Sequence, residues 1–322
     1  AHPGGRFVAG GPEITVFVPT VATRERAPHL WKALNSVRAQ HGVNVRLIVV
    51  ANGPACDAGL LTELAAHDDI AVLRSPVADF PKALRLGRQA VQTAFFAELD
   101  DDDELTPDAL AQRLELLQHD SSVDVVVSSG WIRGTTGDEL SIPDVAAVRA
   151  DPLRSLLQRN WLLPGAALFR SARVPADWFE AIPRCLEWTW IGLNISLHCR
   201  IAFLEKPGVV HFSDLPFSTY ASRPCLAERA EALRALFALP LPDDVRRRLR
   251  AKLADALHAV SELHRGERTP RAAWTAHLES LTLPGGWRYL LYTRYLLGWP
   301  TSGAADMPAR TGQQRDQTGN RS

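Results

Sequence analysis

Short apolar runs alternate with segments of helical periodicity over roughly the first 130 residues of the chain. The runs of strand length, rich in β-branched and aromatic residues, are 13–18, 45–50, 70–73, 95–99 and 123–127. The segments between them that suit helices are 27–41, 60–66, 82–93 and 107–118. This alternation predicts a mostly parallel α/β sheet with helices on both faces.

The chain changes character in its second half. The middle region suggests a loop entering a strand, a helix and two short strands, at 162–170, 187–198, 201–204 and 208–212. Amphipathic helices rich in Ala, Leu and Arg follow, at 226–239, 243–264 and 270–281. The pattern therefore predicts an α-helical extension after the sheet.

The segment Trp287–Leu297 is aromatic, basic and apolar. We predict that it packs onto the rest of the protein, because monomers seldom leave such an apolar patch uncovered. The alternative is an interfacial helix that touches a membrane surface.

Composition narrows the function classes. The chain has 36 basic and 36 acidic residues, so its charge gives no indication of nucleic-acid binding. Its four cysteines are far apart without a Cys-x-x-Cys pair, which argues against a zinc site and a disulfide framework and fits a reducing compartment. No apolar run has the length of a membrane span. We expect a cytoplasmic protein, with peripheral contact to the inner face of the membrane left open.

Polar residues follow three of the predicted strands. Thr20 and Asn52 follow the first two, and the run Asp100–Asp103 follows the fourth. Ligands of parallel sheets bind beyond the carboxyl ends of the strands, so these residues should converge. Adjacent carboxylates at a buried strand end are costly without a cation, and Mg²⁺ or Mn²⁺ prefers oxygen ligands. The alternative is a solvated acidic loop that caps the helix beginning near Thr106.

Four segments, taken in this order, resemble family 2 glycosyltransferases of the GT-A fold. They are ITVFVPT at 14–20, LIVVANGP at 47–54, ALRLG at 83–87 and LDDDDEL at 99–105. The resemblance covers 13–222 and is strongest before 130. It implies a GT-A domain at 13–222 with nucleotide-binding (13–130) and acceptor (131–222) halves. Composition predicts a Gly- and Pro-rich lead-in at 1–12, a helical region at 223–300 and a polar, disordered tail at 301–322.

The aspartate run matches the Asp-x-Asp motif of that family. By resemblance, Asp100 would lie near the ribose of a sugar nucleotide, and Asp102 would bind the metal that bridges its diphosphate. Asp103 is the alternative metal ligand or a first-turn helix residue. Other residues expected to contact the donor are Asp101, Pro19, Thr20 and Arg24.

The chain departs from the family at two places. The family usually carries Asp-Asp-Gly-Ser after the second strand, where this chain has Ala51-Asn52-Gly53-Pro54. Asn52 can still hydrogen-bond a base edge through its amide. Arg85 replaces the usual Asn of the third segment, so it either faces the diphosphate or lies on the helix surface.

Glu187 is the candidate catalytic base, since many family members carry an acid pair at the start of a comparable helix. Its alternative is an ordinary helix-start residue. Trp188 and Trp190 either form a wall for a sugar ring or belong to the core, as do Trp161 and Trp178. His211 is a candidate metal ligand, with a structural role as the alternative.

The resemblance implies a metal-dependent, inverting transfer of a sugar from a nucleotide-diphosphate donor to a hydroxyl acceptor. The acceptor would be a saccharide, a lipid-linked molecule or a small molecule, in polysaccharide, glycolipid or natural-product synthesis. The alternatives are a nucleotidyltransferase and a domain that binds a nucleotide or a partner without turnover.

Overall fold

The computed structural model describes residues 13–214 and 223–298. The strands are β1 Glu13–Thr20, β2 Asn44–Asn52, β3 Ile70–Ser75, β4 Phe95–Glu98, β5 Glu104–Leu105, β6 Val125–Ser128, β7 Trp131–Gly134, β8 Gly137–Leu140, β9 Ala167–Arg170, β10 Ile201–Leu204 and β11 Val209–Phe212. The helices are α1 Ala27–Arg38, α2 Ala58–Ala65, α3 Phe80–Gln89, α4 Ala109–His119, α5 Val145–Ala150, α6 Pro152–Gln158, α7 Glu187–His198, α8 Arg223–Ala235, α9 Asp243–Gly266, α10 Pro270–Leu281 and α11 Thr293–Leu296. Short 3₁₀ helices span Ala176–Phe179, Leu236–Ala238 and Gly286–Tyr292. The predicted lead-in 1–12, the boundary at 222 and the tail 301–322 lie outside the described residues.

A seven-stranded sheet forms the centre, in the order β10-β6-β9-β4-β1-β2-β3. Within it, only β9 runs antiparallel to its neighbours β4 and β6. The central strand β1 is continuously apolar, and Val16 and Phe17 are fully buried, as expected when helices cover both faces. The parallel order of β4-β1-β2-β3 brings the carboxyl ends of these strands to one edge.

A smaller sheet of four strands, in the order β5-β11-β7-β8, lies beside that edge. Strand β5 directly follows the aspartate run, and its Glu104 pairs with Val210 of β11. This pairing carries His211 to the aspartates, although more than a hundred residues separate them in the chain.

The predicted packing of Trp287–Leu297 is wrong for most of the segment. Trp287 and Leu291 are 72% and 75% exposed, whereas Tyr292 is buried. The apolar residues of this segment do not share one side of the 3₁₀ helix, so burial of Tyr292 turns the others towards solvent. Among the described residues, no helix is long and apolar enough to cross a membrane.

The cysteine spacing argued against a disulfide framework, but the structure contains a disulfide. Cys185 and Cys225 form a disulfide, with 5.7 Å between their Cα atoms. Their separation of 40 residues gave no signal, because the contact arises when the start of α8 returns to the loop before α7. Cys56 and Cys199 are free thiols.

Candidate active site

The acidic edge, defined as Glu98 and Asp100–Asp103, begins where β4 ends. Thr20, the last residue of β1, donates a hydrogen bond of 2.5 Å from its hydroxyl to Oδ2 of Asp101. The same hydroxyl accepts a bond of 2.9 Å from the backbone N–H of Ala22. The predicted convergence of these two strand ends is therefore present, and the one hydroxyl proton of Thr20 is used in fixing Asp101.

Arg26 is the main cation of the acidic edge. Its Nε donates to Oδ2 of Asp101 at 2.9 Å, and its Nη2 contacts both Oδ1 of Asp101 and Oδ2 of Asp102, the latter at 3.1 Å. Burial favours a lower pKa for Arg26, but Asp101 and Asp102 more than offset it and the pKa is raised. Arg26 is not among the site residues predicted from the sequence. The signal was its position just before α1, in the loop that leaves the carboxyl end of β1.

Asp103 and His211 form an ion pair beneath the aspartate run. Nδ1 of His211 lies 2.9 Å from Oδ2 of Asp103, and the backbone N–H of Phe212 donates to Oδ1 at 3.2 Å. Burial favours a lower pKa for His211, but the bond to Asp103 outweighs it and raises the pKa to about 9. Burial raises the pKa of Asp103 to about 6. At neutral pH the pair is carboxylate and imidazolium.

Glu98 is the second residue that sequence reasoning missed. It is only 2% exposed, and its nearest polar groups, the side chain of Asp100 and the backbone N–H of Gly165, influence its pKa without meeting the geometry of a full hydrogen bond. Burial, followed by the charge of nearby Asp100, raises its pKa well above the ordinary value. Burial and neighbouring carboxylates likewise raise the pKa values of Asp100 and Asp102. The edge therefore holds more carboxyl groups than its two cations can neutralise, and burial favours the protonated forms of Glu98 and Asp100.

The other residues predicted to contact the donor are either buried in strands or placed outside the acidic edge. Asn52 is buried at the end of β2, where its Oδ1 accepts from the N–H of Asp79 at 3.0 Å. Pro19 is buried in β1. Arg24 turns to α2, with its Nε 2.9 Å from Oδ1 of Asp57. Arg85 is exposed on α3, and within 13–214 and 223–298 nothing ties it to the acidic edge.

Glu187 is the first residue of α7, as predicted from the sequence. Its Oε1 accepts from the backbone N–H of Cys185 at 3.0 Å. Burial raises the pKa of Glu187. The hydrogen bonds from backbone N–H groups and the positive charge of Arg184 oppose this rise, whereas the negative charge of Asp79 adds to it. The backbone N–H of Asp79 bonds to Asn52 at the end of β2, and the charge of Asp79 reaches Glu187.

The tryptophans are mainly structural. Trp161 and Trp190 are buried, and the indole N–H of Trp190 donates to the carbonyl of Trp178 at 2.8 Å. Trp188 is half-buried beside Glu187. The core interpretation therefore holds for Trp161 and Trp190, and a contact with a sugar ring stays a prediction for Trp188.

Comparison with known proteins identifies the domain that carries this edge. The model of the family described as "Glycosyl transferase family 2" matches residues 15–165. Residues 15–165 form a glycosyl transferase family 2 domain. The family and the enzyme class predicted from the sequence, a glycosyltransferase, are thereby confirmed.

Solved structures with the same architecture include that of S. aureus TarS 1-349 in complex with UDP-GlcNAc. It is 14% identical, with a TM-score of 0.55, and the match covers 89% of this chain and 92% of that chain. TarS 1-349 in complex with UDP is 15% identical, with a TM-score of 0.49 and the same coverage. The first likeness confirms the predicted fold, with the helices after the sheet included. None of the curated proteins matches this chain.

The family 2 domain leaves two aspartates of its edge available to a ligand. Both oxygens of Asp101 and of Asp103 are engaged inside the protein, which leaves Asp100 and Asp102. Asp103 engages Nδ1 of His211, the usual way in which a carboxylate orients a metal-binding histidine, but Nε2 could bind a metal only after the imidazolium loses its proton.

These donors suit a hard divalent cation. Among the described residues, no group of three or more His, Cys, Asp or Glu side chains is arranged to hold a metal alone. Mg²⁺ is usually bound by one or two carboxylates together with substrate phosphates, so a site of this kind would need the donor to complete it. The surplus of buried carboxylates at this edge fits such a cation as well.

Proposed function

We propose that the protein transfers a sugar from a nucleotide-diphosphate donor to an acceptor hydroxyl, with inversion and with a divalent metal. The observation that carries this proposal is the division of the sheet edge into two parts. At one end lie the available carboxylates Asp100 and Asp102. At the other, Glu187 is a half-buried carboxyl group with a raised pKa. One part can take the phosphates of a donor through a bound metal ion, and the other can take a proton.

The donor would bind across the ends of β1, β2 and β4. Asp100 would face the ribose, and the amide of Asn52, held by the N–H of Asp79, would meet the base edge. Arg26 fixes Asp101 and Asp102 before any donor arrives. This preorganisation reduces the cost of ordering the site when the donor binds.

Glu187 would act as the general base. Its carboxylate takes the proton of the acceptor hydroxyl while that oxygen attacks the anomeric carbon, and the bond from that carbon to the diphosphate breaks. A base whose pKa is raised towards the working pH is more effective in such a step. Asp102 would hold Mg²⁺ or Mn²⁺, with Nε2 of His211 as a further ligand once metal binding displaces its proton, and the metal would stabilise the charge that develops on the leaving diphosphate.

The test is release of nucleoside diphosphate from a panel of sugar nucleotides with Mn²⁺, with saccharide, lipid-linked and small-molecule hydroxyl acceptors. UDP-GlcNAc is the first donor to test, since the TarS structure contains it. We expect Glu187→Gln to lower turnover by about a hundredfold or more, the usual contribution of a general base, and to leave donor affinity unchanged.

The matched control is Glu180→Gln, an exposed glutamate at the end of the preceding 3₁₀ helix. It should keep full turnover. Loss of turnover in both variants, or full turnover in Glu187→Gln, would exclude Glu187 as the base. Release of pyrophosphate in place of nucleoside diphosphate would identify a nucleotidyltransferase, and donor binding without any release would identify a non-catalytic domain.

A further inference from the structure

An exposed ridge, residues 287–297, lies on the surface of the helical region. It rests on α9 and α10 through one row of aromatic side chains. The ring of Tyr289 stacks on that of His258 in α9, with 3.8 Å between their centroids. Tyr292 is buried, and its ring lies 4.7 Å from that of His258 and 5.4 Å from that of His277 in α10. This row fixes which side of the segment faces the protein.

The other two rows of the 3₁₀ helix face solvent. Side chains three residues apart eclipse each other in a 3₁₀ helix, so Trp287 and Leu290 form one row, and Arg288 and Leu291 form the other. The three apolar side chains of these rows are each more than half exposed, as is Leu297 after α11. With two of its three rows in solvent, the segment is a ridge and not a flat patch.

The ridge carries positive charge. Its sequence contains Arg288 and Arg294 and no Asp or Glu. Asp255 neutralises Arg288. Arg294 and Arg265 of α9 are exposed and lie against the ring of Tyr295, at 4.9 and 5.6 Å from its centroid. Within the part of the chain that the structure describes, neither of these two arginines forms an ion pair, so the end of the ridge near α11 carries two unbalanced charges.

This combination suits the surface of a lipid bilayer. Tryptophan and tyrosine favour the boundary between headgroups and acyl chains, leucines enter the acyl region, and arginines meet anionic headgroups. A fluid bilayer adapts to a ridge with two exposed rows, whereas a folded partner would need a groove that matches it. The ridge is far shorter than a membrane span, so it can lie only in the interface.

We propose that residues 287–297 dock the protein on a membrane that contains anionic lipids. Trp287, Leu290 and Leu291 enter the headgroup region, and Arg265 and Arg294 meet the lipid phosphates. Docking of this kind does not require sugar transfer, so it can be measured without a donor. Its failure would leave the proposed function standing.

The experiment is co-sedimentation of the full chain with vesicles. We expect saturable binding to vesicles of phosphatidylglycerol, much weaker binding to vesicles of phosphatidylcholine, and weaker binding at high salt, which screens the charges. Trp287→Ser with Leu291→Ser should weaken the binding by at least about tenfold, because two large apolar side chains no longer enter the bilayer. Arg294→Glu should weaken it by at least about fivefold, because it replaces an attractive charge with a repulsive one.

Two matched controls change similar side chains elsewhere. Val77→Ser removes an exposed apolar side chain from the loop after β3, and Arg85→Glu reverses an exposed charge on α3. Both should bind the vesicles as the wild type does. All the substituted side chains are exposed, so thermal scans should give melting temperatures close to that of the wild type. A loss of sedimentation is then not a loss of folding.

The proposal is overturned if the wild type does not sediment with phosphatidylglycerol vesicles, if it sediments equally with phosphatidylcholine vesicles, or if either ridge variant binds as the wild type does. It is also overturned if light scattering without vesicles shows a dimer that Trp287→Ser with Leu291→Ser converts to a monomer. The ridge would then be an interface between copies of this chain.

Discussion

Replacement of Arg26 should reveal how much the cation of the acidic edge contributes to stability. Arg26→Met keeps most of the aliphatic volume and removes the guanidinium that contacts Asp101 and Asp102. The side chains of Arg26 and Asp101 are only 15% and 5% exposed. Water can therefore do little to compensate the carboxylates once the guanidinium is gone.

The expected cost follows from that burial. Removal of one partner of a buried ion pair typically costs 3–5 kcal/mol, because the remaining charge stays buried and uncompensated. Thr20 still donates to Asp101 in the variant, so we expect the lower end, about 3 kcal/mol of unfolding free energy. The double variant Arg26→Met with Asp101→Asn should recover part of this loss, because it removes the stranded charge as well.

The assay is urea denaturation followed by tryptophan fluorescence at neutral pH. Arg24→Met is the matched control: Arg24 lies two residues away and pairs with Asp57, but it is 58% exposed. An exposed pair contributes about 0–1 kcal/mol, so the control should change little. Equal losses in the two variants would refute the assignment of Arg26 as the cation that holds the edge together.

Three further predictions concern charge and exposure. Glu98 has a raised pKa in the folded state, so the unfolded state ionises first, from about pH 4.3, and the contribution of Glu98 to stability falls as the pH rises above that value. Glu98→Gln should therefore gain unfolding free energy relative to the wild type between pH 4 and pH 7, and a constant difference across urea titrations would show that Glu98 is not protonated. Mn²⁺ should raise the melting temperature of Arg26→Met more than that of the wild type, since the variant has one cation fewer at the acidic edge; equal shifts in thermal scans would contradict a metal at this edge. Trp287→Ser should change the unfolding free energy by less than about 0.5 kcal/mol, because the side chain is 72% exposed, and a loss above 2 kcal/mol would mean that it is buried in solution.

Some parts of this structure could be read from local patterns. The strands β1, β2 and β4 are apolar runs bounded by polar residues, and helix α7 begins and ends at the predicted residues Glu187 and His198. Parallel pairing then brings Thr20 and the aspartates together without further information. Such features depend on residues close in sequence, or on the general rule that strand ends align.

Other parts depend on contacts between residues far apart in the chain. Arg26 lies 75 residues before Asp101, and His211 lies 108 residues after Asp103, so neither pair leaves a local pattern. The antiparallel direction of β9 could not be predicted from its own sequence, because it depends on the strands β4 and β6 that pair with it. The burial of Glu98 could not be predicted from the sequence, because one carboxyl group hardly changes the apolar pattern of β4.

The most direct test of the proposed function is calorimetric titration of UDP-GlcNAc, or of the donor selected by the release assay, with Mn²⁺ and with a chelator. We predict saturable binding that needs the metal in the wild type, and loss of the metal-dependent part in Asp102→Asn, while Glu187→Gln binds the donor as the wild type does. Equal donor affinity with Mn²⁺ and with chelator, or an Asp102→Asn variant that binds as the wild type does, would contradict the assignment of the acidic edge as the donor site.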